Sequence, residues 1–425
     1  MIAKLFHIST EGSDHGHKPR LKRKYIYYAL TAMMGVVVVS VRLNTQLVIV
    51  NNLSPESSLL PWELVLMGWG SFIYAMGSLF LASLSDRFGR LPCIAVTAFI
   101  LAGLNVILGW NILGPYQLWH LFLCWGMVSL CFSIFFTGVE GLLSEYQDHS
   151  MPLARRLGLY CISWSTGGFV ASFLTGYGKE LLGPEVIFMS VSLVCFAVLT
   201  VTLLDFLFHG TRKIGEQEVG EADIRPEAPF HASLARIGLF FGSLAFAALS
   251  ASFPRFARDF HQLGEGAVGS FLSTITFTAF LTFAWFPLWN WWHYRAKLQV
   301  LLQGFMLAGL ILLLMAPQGA TFLIRLSLVL YGAGYGFCYF FSIYYSLLVP
   351  AGHARSGGVH EGFLGLGKLF GPFAALAFIW FAGKTSLLSE SRLGAAAIAV
   401  AALAVLFSLL VQYSLVKKRT SGVVP

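Results

Sequence analysis

The chain has 425 residues, of which 57% are hydrophobic and only 11% are charged, with a formal net charge of +8 at pH 7 and a mean hydropathy of +0.73. A soluble globular protein carries about 25% charged residues, so this composition excludes a water-soluble fold. It does not indicate nucleic-acid binding either, because the basic residues lie in short loops between apolar runs rather than in one patch.

Long apolar runs predict transmembrane helices. Only helices and closed barrels satisfy their backbone hydrogen bonds within lipid, and barrel strands would alternate polar and apolar residues over about ten positions. Runs such as LGAAAIAVAALAVLFSLLVQYSL are instead apolar on every face. The sequence therefore predicts an all-α membrane protein with twelve transmembrane helices. The predicted spans are 25–51, 62–84, 91–112, 116–143, 156–178, 185–208, 233–254, 266–290, 297–316, 321–348, 358–382 and 392–415.

One long polar stretch, GTRKIGEQEVGEADIRPEAPFHA, separates the sixth span from the seventh. This position divides the chain into two groups of six spans. We therefore predict a cytoplasmic N-terminal tail at 1–24, a six-helix bundle at 25–208, a cytoplasmic linker at 209–232, a second six-helix bundle at 233–415 and a cytoplasmic C-terminal tail at 416–425.

The distribution of Lys and Arg predicts the orientation. Nineteen basic residues fall in the tails and loops on the side of the termini, whereas five fall on the opposite side. Because cytoplasmic loops carry the excess of Lys and Arg, we expect both termini in the cytoplasm. The short loops favour a bacterial inner membrane as the location.

Two similar segments suggest an internal duplication. GLYCISWSTGG occupies Gly158–Gly168 and GFLGLGKLFGP occupies Gly362–Pro372, an offset of 204 residues. The same shift places Asp86, after the second span, on Asn290 at the end of the eighth. Transporters are commonly built from repeated units around a central site, so the pattern favours two related halves.

The loop after the second span contains the sharpest local motif, GSLFLASLSDRFGRLP. It resembles the loop signature of the major facilitator superfamily, in which a glycine precedes an aspartate, a basic residue, a glycine and further basic residues. Ala82 replaces the leading glycine and Leu91 replaces the last basic residue. The positions that follow the signature are Asp86, Arg87, Gly89 and Arg90.

This resemblance covers the whole twelve-span chain and implies the fold and the mechanism of that superfamily. It implies two pseudo-symmetric six-helix bundles that rock about a central substrate site, usually in a monomer. It also implies a cytoplasmic gate formed by Asp86, Arg87, Gly89 and Arg90. The alternative is that these residues only cap the second helix and fix the topology.

Arg42 is the most notable charge within a span. It lies deep in the first span and is followed by the polar residues Asn44 and Gln46. A charged side chain at the bilayer centre costs at least about 2.5–3.5 kcal/mol, so such residues usually face a cavity or a partner. The first helix lines the cavity in the resembled family, so all three residues are candidate substrate ligands, favouring an organic anion. The alternative for Arg42 is a structural ion pair.

Lys368, Glu140 and Glu361 are further charged candidates within the spans. Lys368 could bind the same anionic substrate, or it could neutralise Glu361, which lies about two helical turns earlier on the same face. Glu140 and Glu361 lie near cytoplasmic ends of their spans, where a partly desolvated carboxylate can exchange protons. They are our candidates for proton coupling.

Aromatic residues provide the remaining binding candidates. Tyr331, Tyr335 and Tyr339 recur every four residues in the tenth span and share one helical face. Trp69 in the second span is a similar candidate. The alternative in each case is packing.

We predict a secondary transporter for a small solute. Three alternative functions remain open. The first is proton-driven drug or lipid efflux, although the Gly-Pro pair that such antiporters carry in the fifth span is Gly167-Gly168 here and occurs instead as Gly371-Pro372. The second is transition-metal transport, suggested by His7, His15 and His17 at the N-terminus. The third is a sensor that has kept the fold without transporting.

An enzyme and a cofactor are not expected. No GxxxxGK[ST] loop for nucleotide phosphates is present, and no clustered His and acidic residues indicate a membrane-embedded enzyme. The six Cys residues lie in or beside apolar runs, so we interpret them as core residues rather than as metal ligands. The expected partners are a small-molecule substrate, a proton and the lipid bilayer.

Overall fold

A computed structural model of the chain describes residues 18–53, 61–110, 116–145, 151–209, 225–348, 353–384 and 392–421. In these residues, twelve helices are long and apolar enough to cross a membrane, as the sequence predicts. They are α1 Lys18–Val48, α2 Trp62–Phe80, α3 Arg90–Gly109, α4 Leu118–Glu145, α5 Leu153–Leu182, α6 Pro184–His209, α7 Ala228–Asp259, α8 Glu265–Trp285, α9 Ala296–Met315, α10 Thr321–Leu348, α11 His353–Lys384 and α12 Leu393–Thr420.

Several helices extend beyond the apolar runs that predicted them. Helix α1 begins at Lys18, α7 begins at Ala228, and α12 continues to Thr420. Lys, Arg and Ala are good helix formers, so the helix continues after the hydrophobicity ends. The last turn of α12 carries three basic side chains, which also interact favourably with the helix dipole.

The six helices of each half pack in the same pairs. In the first half α1 packs against α5, α3 against α6 and α2 against α4; in the second half α7 packs against α11, α9 against α12 and α8 against α10. The halves meet mainly where α5 packs against α8 and α2 against α11. Helices α5 and α8 of one contact correspond to α11 and α2 of the other when the two halves are exchanged. The molecule therefore consists of two pseudo-symmetric six-helix bundles.

Glycines allow the closest crossings within each half. A Cβ atom at Gly167 of α5 would lie 2.0 Å from the Ala32 carbonyl oxygen of α1, and one at Gly371 of α11 would lie 2.2 Å from the Leu244 carbonyl oxygen of α7. Gly167 and Gly371 are 204 residues apart. Equivalent glycines of the predicted duplication therefore pack equivalent helix pairs.

The two ends of the bundle are identified by their ion pairs. At the end where α1 begins and α12 ends, called the termini end, Arg23 of α1 pairs with Asp205 of α6 at 2.9 Å. At the opposite end, called the far end, Glu63 at the start of α2 pairs with Arg255 near the end of α7 at 2.6 Å. The first pair joins helices of one half, whereas the second joins the two halves.

Candidate functional site

Two carboxyl groups from opposite halves meet between α4 and α11. The Tyr160 hydroxyl donates a hydrogen bond of 2.7 Å to Glu140 Oε1, and the Tyr74 hydroxyl donates one of 2.9 Å to Glu361 Oε2. The two carboxyl groups also interact with each other electrostatically. Two neighbouring carboxylates repel each other unless one of them carries a proton.

Two cations continue this arrangement towards the middle of the bundle. The Lys368 ammonium lies 5.7 Å from the centre of the Tyr74 ring and interacts electrostatically with both Glu361 and Arg42. The Arg42 guanidinium lies 5.4 Å from the centre of the Phe246 ring, and its Nε atom makes no hydrogen bond. Among the described residues, neither cation has a carboxylate at ion-pair distance.

We call Glu140, Glu361, Tyr74, Lys368 and Arg42 the central polar cluster. Arg42 and Lys368 each lie nine residues, or about 14 Å, inside their spans. Both are nevertheless only partly buried, as are Glu140 and Tyr74. Because their neighbours come from both halves, these side chains lie at the interface between the halves.

Two of the three tyrosines predicted on α10 border the cluster. The Tyr335 ring stacks on Phe246 at 4.8 Å and interacts electrostatically with Arg42. The Tyr339 ring lies 5.2 Å from Trp164 of α5, across the interface between the halves. Tyr331 is fully buried, and its hydroxyl donates to the Gly242 carbonyl oxygen at 3.3 Å. Tyr331 therefore packs within the second half.

Three other predicted ligands lie away from the cluster. The Asn44 amide donates to the Pro184 carbonyl oxygen at 2.9 Å, which joins α1 to α6. The Gln46 amide donates to the Ser250 carbonyl oxygen of α7 at 3.3 Å. The Trp69 indole donates to the Phe122 carbonyl oxygen at 3.0 Å, and the side chain is 39% exposed on the outer face of α2 and α4. Trp69 therefore faces the membrane.

The loop with the DRFGR motif folds as a short helix, Ala82–Phe88, that is terminated by Gly89. Gly89 has a φ of 93°, in the region where a glycine is favoured. The Arg87 side chain is exposed and lies over the Phe88 ring at 5.6 Å, whereas Arg90 is partly buried at the start of α3. The side chain of Asp86 lies outside the described residues, as do His7, His15 and His17.

Residues that the sequence did not single out also contact the cluster. His360, next to Glu361, is buried; its Nδ1 atom lies 3.1 Å from the Ser342 hydroxyl, and its ring meets the Tyr339 ring edge to face at 4.9 Å. Tyr74 and Tyr160 hold the two carboxyl groups. Only the tertiary structure brings these residues together, because they come from helices that are far apart in the sequence.

The far end is closed by contacts between the halves. Arg255 Nε donates to Glu63 Oε1 at 2.6 Å, and Arg255 Nη2 donates to Glu63 Oε2 at 3.1 Å. Both side chains are buried. Close by, Lys179 of α5 pairs with Glu265 of α8, which also accepts a hydrogen bond from Asn51. These two ion pairs are called the far-end ion pairs.

The far-end contacts follow the repeat offset of 204 residues. Asn51 and Arg255 are separated by that offset, and each contacts the acidic residue at the start of the other half's second helix, Glu265 or Glu63. Gln46 and Ser250 are separated by the same offset and contact each other. This direct contact between equivalent residues places them beside the pseudo-symmetry axis.

Two arginines within the spans were not singled out from the sequence. Arg236 of α7 lies 3.4 Å from the Ser346 hydroxyl, and Arg325 of α10 lies near the far end. An arginine inside an apolar run is the signal that identifies both. Within the part of the chain that is described, no group of three His, Cys, Asp or Glu side chains is arranged to hold a metal ion.

Comparisons with known proteins agree with this architecture. The family model described as Major Facilitator Superfamily matches residues 26–372. A bacterial homologue of the human lysosomal transporter Spinster, in an inward-facing and unoccupied conformation, superposes with a TM-score of 0.58 at 16% identity, over 95% of each chain. The inward-facing and occupied conformation gives a TM-score of 0.60 at 16% identity, over 93% of this chain and 94% of that one. No curated protein sequence matches the chain.

Proposed function

Since this chain belongs to the major facilitator superfamily, we propose that it is a secondary active transporter that moves a small solute, with organic anions favoured, by rocking its two halves about the central polar cluster. Such a mechanism needs a binding site between the halves and a closure on each side of it. The central polar cluster supplies the first requirement, and the far-end ion pairs supply one of the closures.

The observation that carries the proposal is the environment of Arg42. This arginine lies about 14 Å inside its span, is partly accessible and has no carboxylate partner among the described residues. Retaining a charge in the membrane costs at least about 2.5–3.5 kcal/mol, which favours a functional reason for its presence. With Lys368 nearby, two positive charges and the Tyr335 ring would bind a carboxylate, sulfate or phosphate group.

The two carboxyl groups support coupling to protons. Glu140 belongs to the first half and Glu361 to the second, and the two groups interact electrostatically, so a proton held by either one would remove their repulsion. Rocking of the halves would separate the two groups, after which each would be free to ionise. Substrate binding at Arg42 and Lys368 would change the field at Glu361, because Lys368 interacts with both sites.

The far-end ion pairs correspond to a state that is closed at the far end. We further propose that the termini end faces the cytoplasm of a bacterial cell, because nineteen basic residues in tails and loops lie on that side and five on the other. Opening would then require Glu63 to separate from Arg255 and Lys179 from Glu265. On the termini side, Arg87 and Arg90 are the candidate gate residues.

The test is binding and transport by the purified protein and three variants. We expect an organic anion to raise the thermal unfolding midpoint of the wild type by mass action, and we expect Arg42→Ala to abolish the rise. Arg42→Lys should retain part of it. Trp69→Ala is the matched control, because Trp69 was an equal candidate by sequence but lies on the outer face, so its response should equal that of the wild type.

Counterflow of the same anion in reconstituted vesicles then distinguishes transport from binding. Counterflow that is present in the wild type and lost in Arg42→Ala supports the proposal. An anion response that does not depend on Arg42 would contradict the anion site. Responses confined to hydrophobic cations or lipids would favour efflux, and binding without counterflow would favour a sensor.

A further inference from the structure

A cavity of about 440 Å³ lies on the outer surface where α5 of the first half meets α8 and α10 of the second. Its walls are apolar apart from Arg325, Ser273 and Thr274. Phe173 and Phe277 are both more than 40% exposed. An exposed apolar surface on a membrane-spanning helix faces lipid, so this cavity opens to the bilayer and is separate from the central polar cluster.

Arg325 is an unusual residue for such a surface. Its Nη2 atom lies 3.2 Å from the Ser270 hydroxyl, its Nη1 atom lies 3.4 Å from the Thr274 hydroxyl, and its guanidinium lies 5.0 Å from the centre of the Phe271 ring. These partners are all neutral. No carboxylate of the described residues pairs with Arg325, so its charge has no counter-charge in the described part of the chain.

The Arg325 side chain does not extend towards water at the membrane surface. Arg325 lies four residues, or about 6 Å, inside the far end of α10. Its partners Ser270 and Thr274 lie five and nine residues, or about 8 and 14 Å, inside the far end of α8. An arginine that only reached for water would extend towards the aqueous interface. This one extends along α8 into the membrane.

We propose that this cavity binds an anionic phospholipid from the leaflet at the far end, with its phosphate on Arg325 and an acyl chain along the apolar wall. A phosphate accepts two parallel hydrogen bonds from a guanidinium and supplies the missing counter-charge. The wall continues from Arg325 to Phe277 and Phe169, which lie about 18 and 20 Å inside the far ends of α8 and α5. The charged residue therefore lies nearer the membrane surface and the apolar wall lies deeper, as the headgroup and acyl chain of a phospholipid in that leaflet do.

The lipid would contact both halves at their largest shared interface, between α5 and α8. Phe169 and Phe173 come from the first half, whereas Phe277 and Arg325 come from the second. Binding therefore stabilises the arrangement in which the halves are packed together at the far end. This site is independent of the substrate and of the coupling ion.

The experiment compares lipids with the same acyl chains added to the delipidated full-length protein. Phosphatidylglycerol should raise the thermal unfolding midpoint more than phosphatidylcholine does, because only the first has a net negative headgroup. Arg325→Ala should weaken phosphatidylglycerol binding about tenfold, since a hydrogen-bonded charge is lost, and should reduce its effect to that of phosphatidylcholine. Arg325→Lys should retain part of the difference.

Arg392→Ala is the matched control, because Arg392 is also exposed at the far end but caps α12. It should respond as the wild type does. If Arg325→Ala does not fold, Val329→Phe, which fills the cavity from an exposed position, should weaken the binding of both lipids. Equal responses to the two lipids, an unchanged response in Arg325→Ala, or the same stabilisation by inorganic phosphate alone would overturn the proposal.

Discussion

The interface between the two halves contains charges of two kinds. At the far end two cations have acidic partners: Arg255 pairs with Glu63 through two hydrogen bonds, and Lys179 pairs with Glu265. In the central polar cluster, Arg42 and Lys368 lie near each other without ion-pair partners among the described residues, and Glu140 lies near the like charge of Glu361.

We infer from this difference which charges define how the two halves fit together and which remain available to bind. A buried ion pair that is fully matched contributes little net stability but defines how two surfaces fit, since breaking it leaves a buried charge uncompensated. Charges without partners do not define how the two halves fit together. They retain their capacity to bind an external ion or to exchange a proton.

Removal of one far-end partner is expected to have the largest effect. Glu63→Ala leaves the Arg255 guanidinium buried without its carboxylate, and the loss of unfolding free energy should be about 3–5 kcal/mol. The measurement is the thermal unfolding midpoint of the detergent-solubilised protein. The double variant Glu63→Leu with Arg255→Met is the control, because replacing both partners by apolar groups should recover most of the loss. A double variant as unstable as Glu63→Ala would contradict the assignment of these charges as a matched pair.

Neutralisation of one cluster carboxyl should affect coupling rather than stability. Glu361→Gln retains an acceptor for the Tyr74 hydroxyl but cannot release a proton, so uptake driven by a pH gradient should fall about tenfold or more. Counterflow needs no net proton movement and should be retained. Glu227→Gln, at an exposed position just before α7, is the control. Gradient-driven uptake that is unchanged in Glu361→Gln would exclude this residue from coupling.

A smaller effect is expected at the pseudo-symmetry axis. Gln46 is fully buried and donates to the Ser250 carbonyl oxygen. Gln46→Ala should lower the unfolding free energy by about 1 kcal/mol, because one hydrogen bond between the halves is lost. Asn44→Ala removes a hydrogen bond within the first half and provides the comparison. A ligand or lipid that favours the state closed at the far end should stabilise the protein further. If the Gln46 hydrogen bond joins the halves, Gln46→Ala should weaken this further stabilisation and Asn44→Ala should not.

The smallest expected effect is an acid sensitivity of the far end. His261, in the turn between α7 and α8, is buried beside Phe256 and accepts a hydrogen bond from the Gly319 amide at 3.3 Å. Burial lowers the pKa of His261. Below the ordinary histidine pKa of about 6.5, the unfolded chain therefore binds more protons than the folded chain does. The stability of the fold consequently decreases as the pH drops through that value. His261→Gln should flatten the dependence of the unfolding midpoint between about pH 7 and pH 5; an identical slope in both proteins would show that His261 does not contribute.

The transmembrane helices were predictable because one requirement dominates them. Lipid demands about twenty apolar residues per span, and this signal predicted all twelve of the membrane-spanning helices found in the described residues. The helix ends were less predictable. Helices α1, α7 and α12 extend into charged segments, where helix propensity and dipole interactions decide the boundary and hydrophobicity carries no information.

The candidate site was predictable only in part. A charge in an apolar run is visible in the sequence, so Arg42, Lys368, Glu140 and Glu361 were identified, whereas the distinction between Tyr335 and Tyr331 was not. Both tyrosines occupy one helical face, yet Tyr335 borders the cluster and Tyr331 packs against α7. Trp69 was an equal candidate and lies on the outer face.

The sequence by itself determined that this protein spans the membrane with twelve helices in two related halves, because the lipid constrains every segment separately and the repeat offset is a property of the chain. Only the tertiary structure decided which charges are matched and which remain unpaired. Glu63 and Arg255 are 192 residues apart, and Glu140 and Glu361 are further apart still. Interactions between such distant residues depend on how whole helices pack, and no local pattern encodes that arrangement.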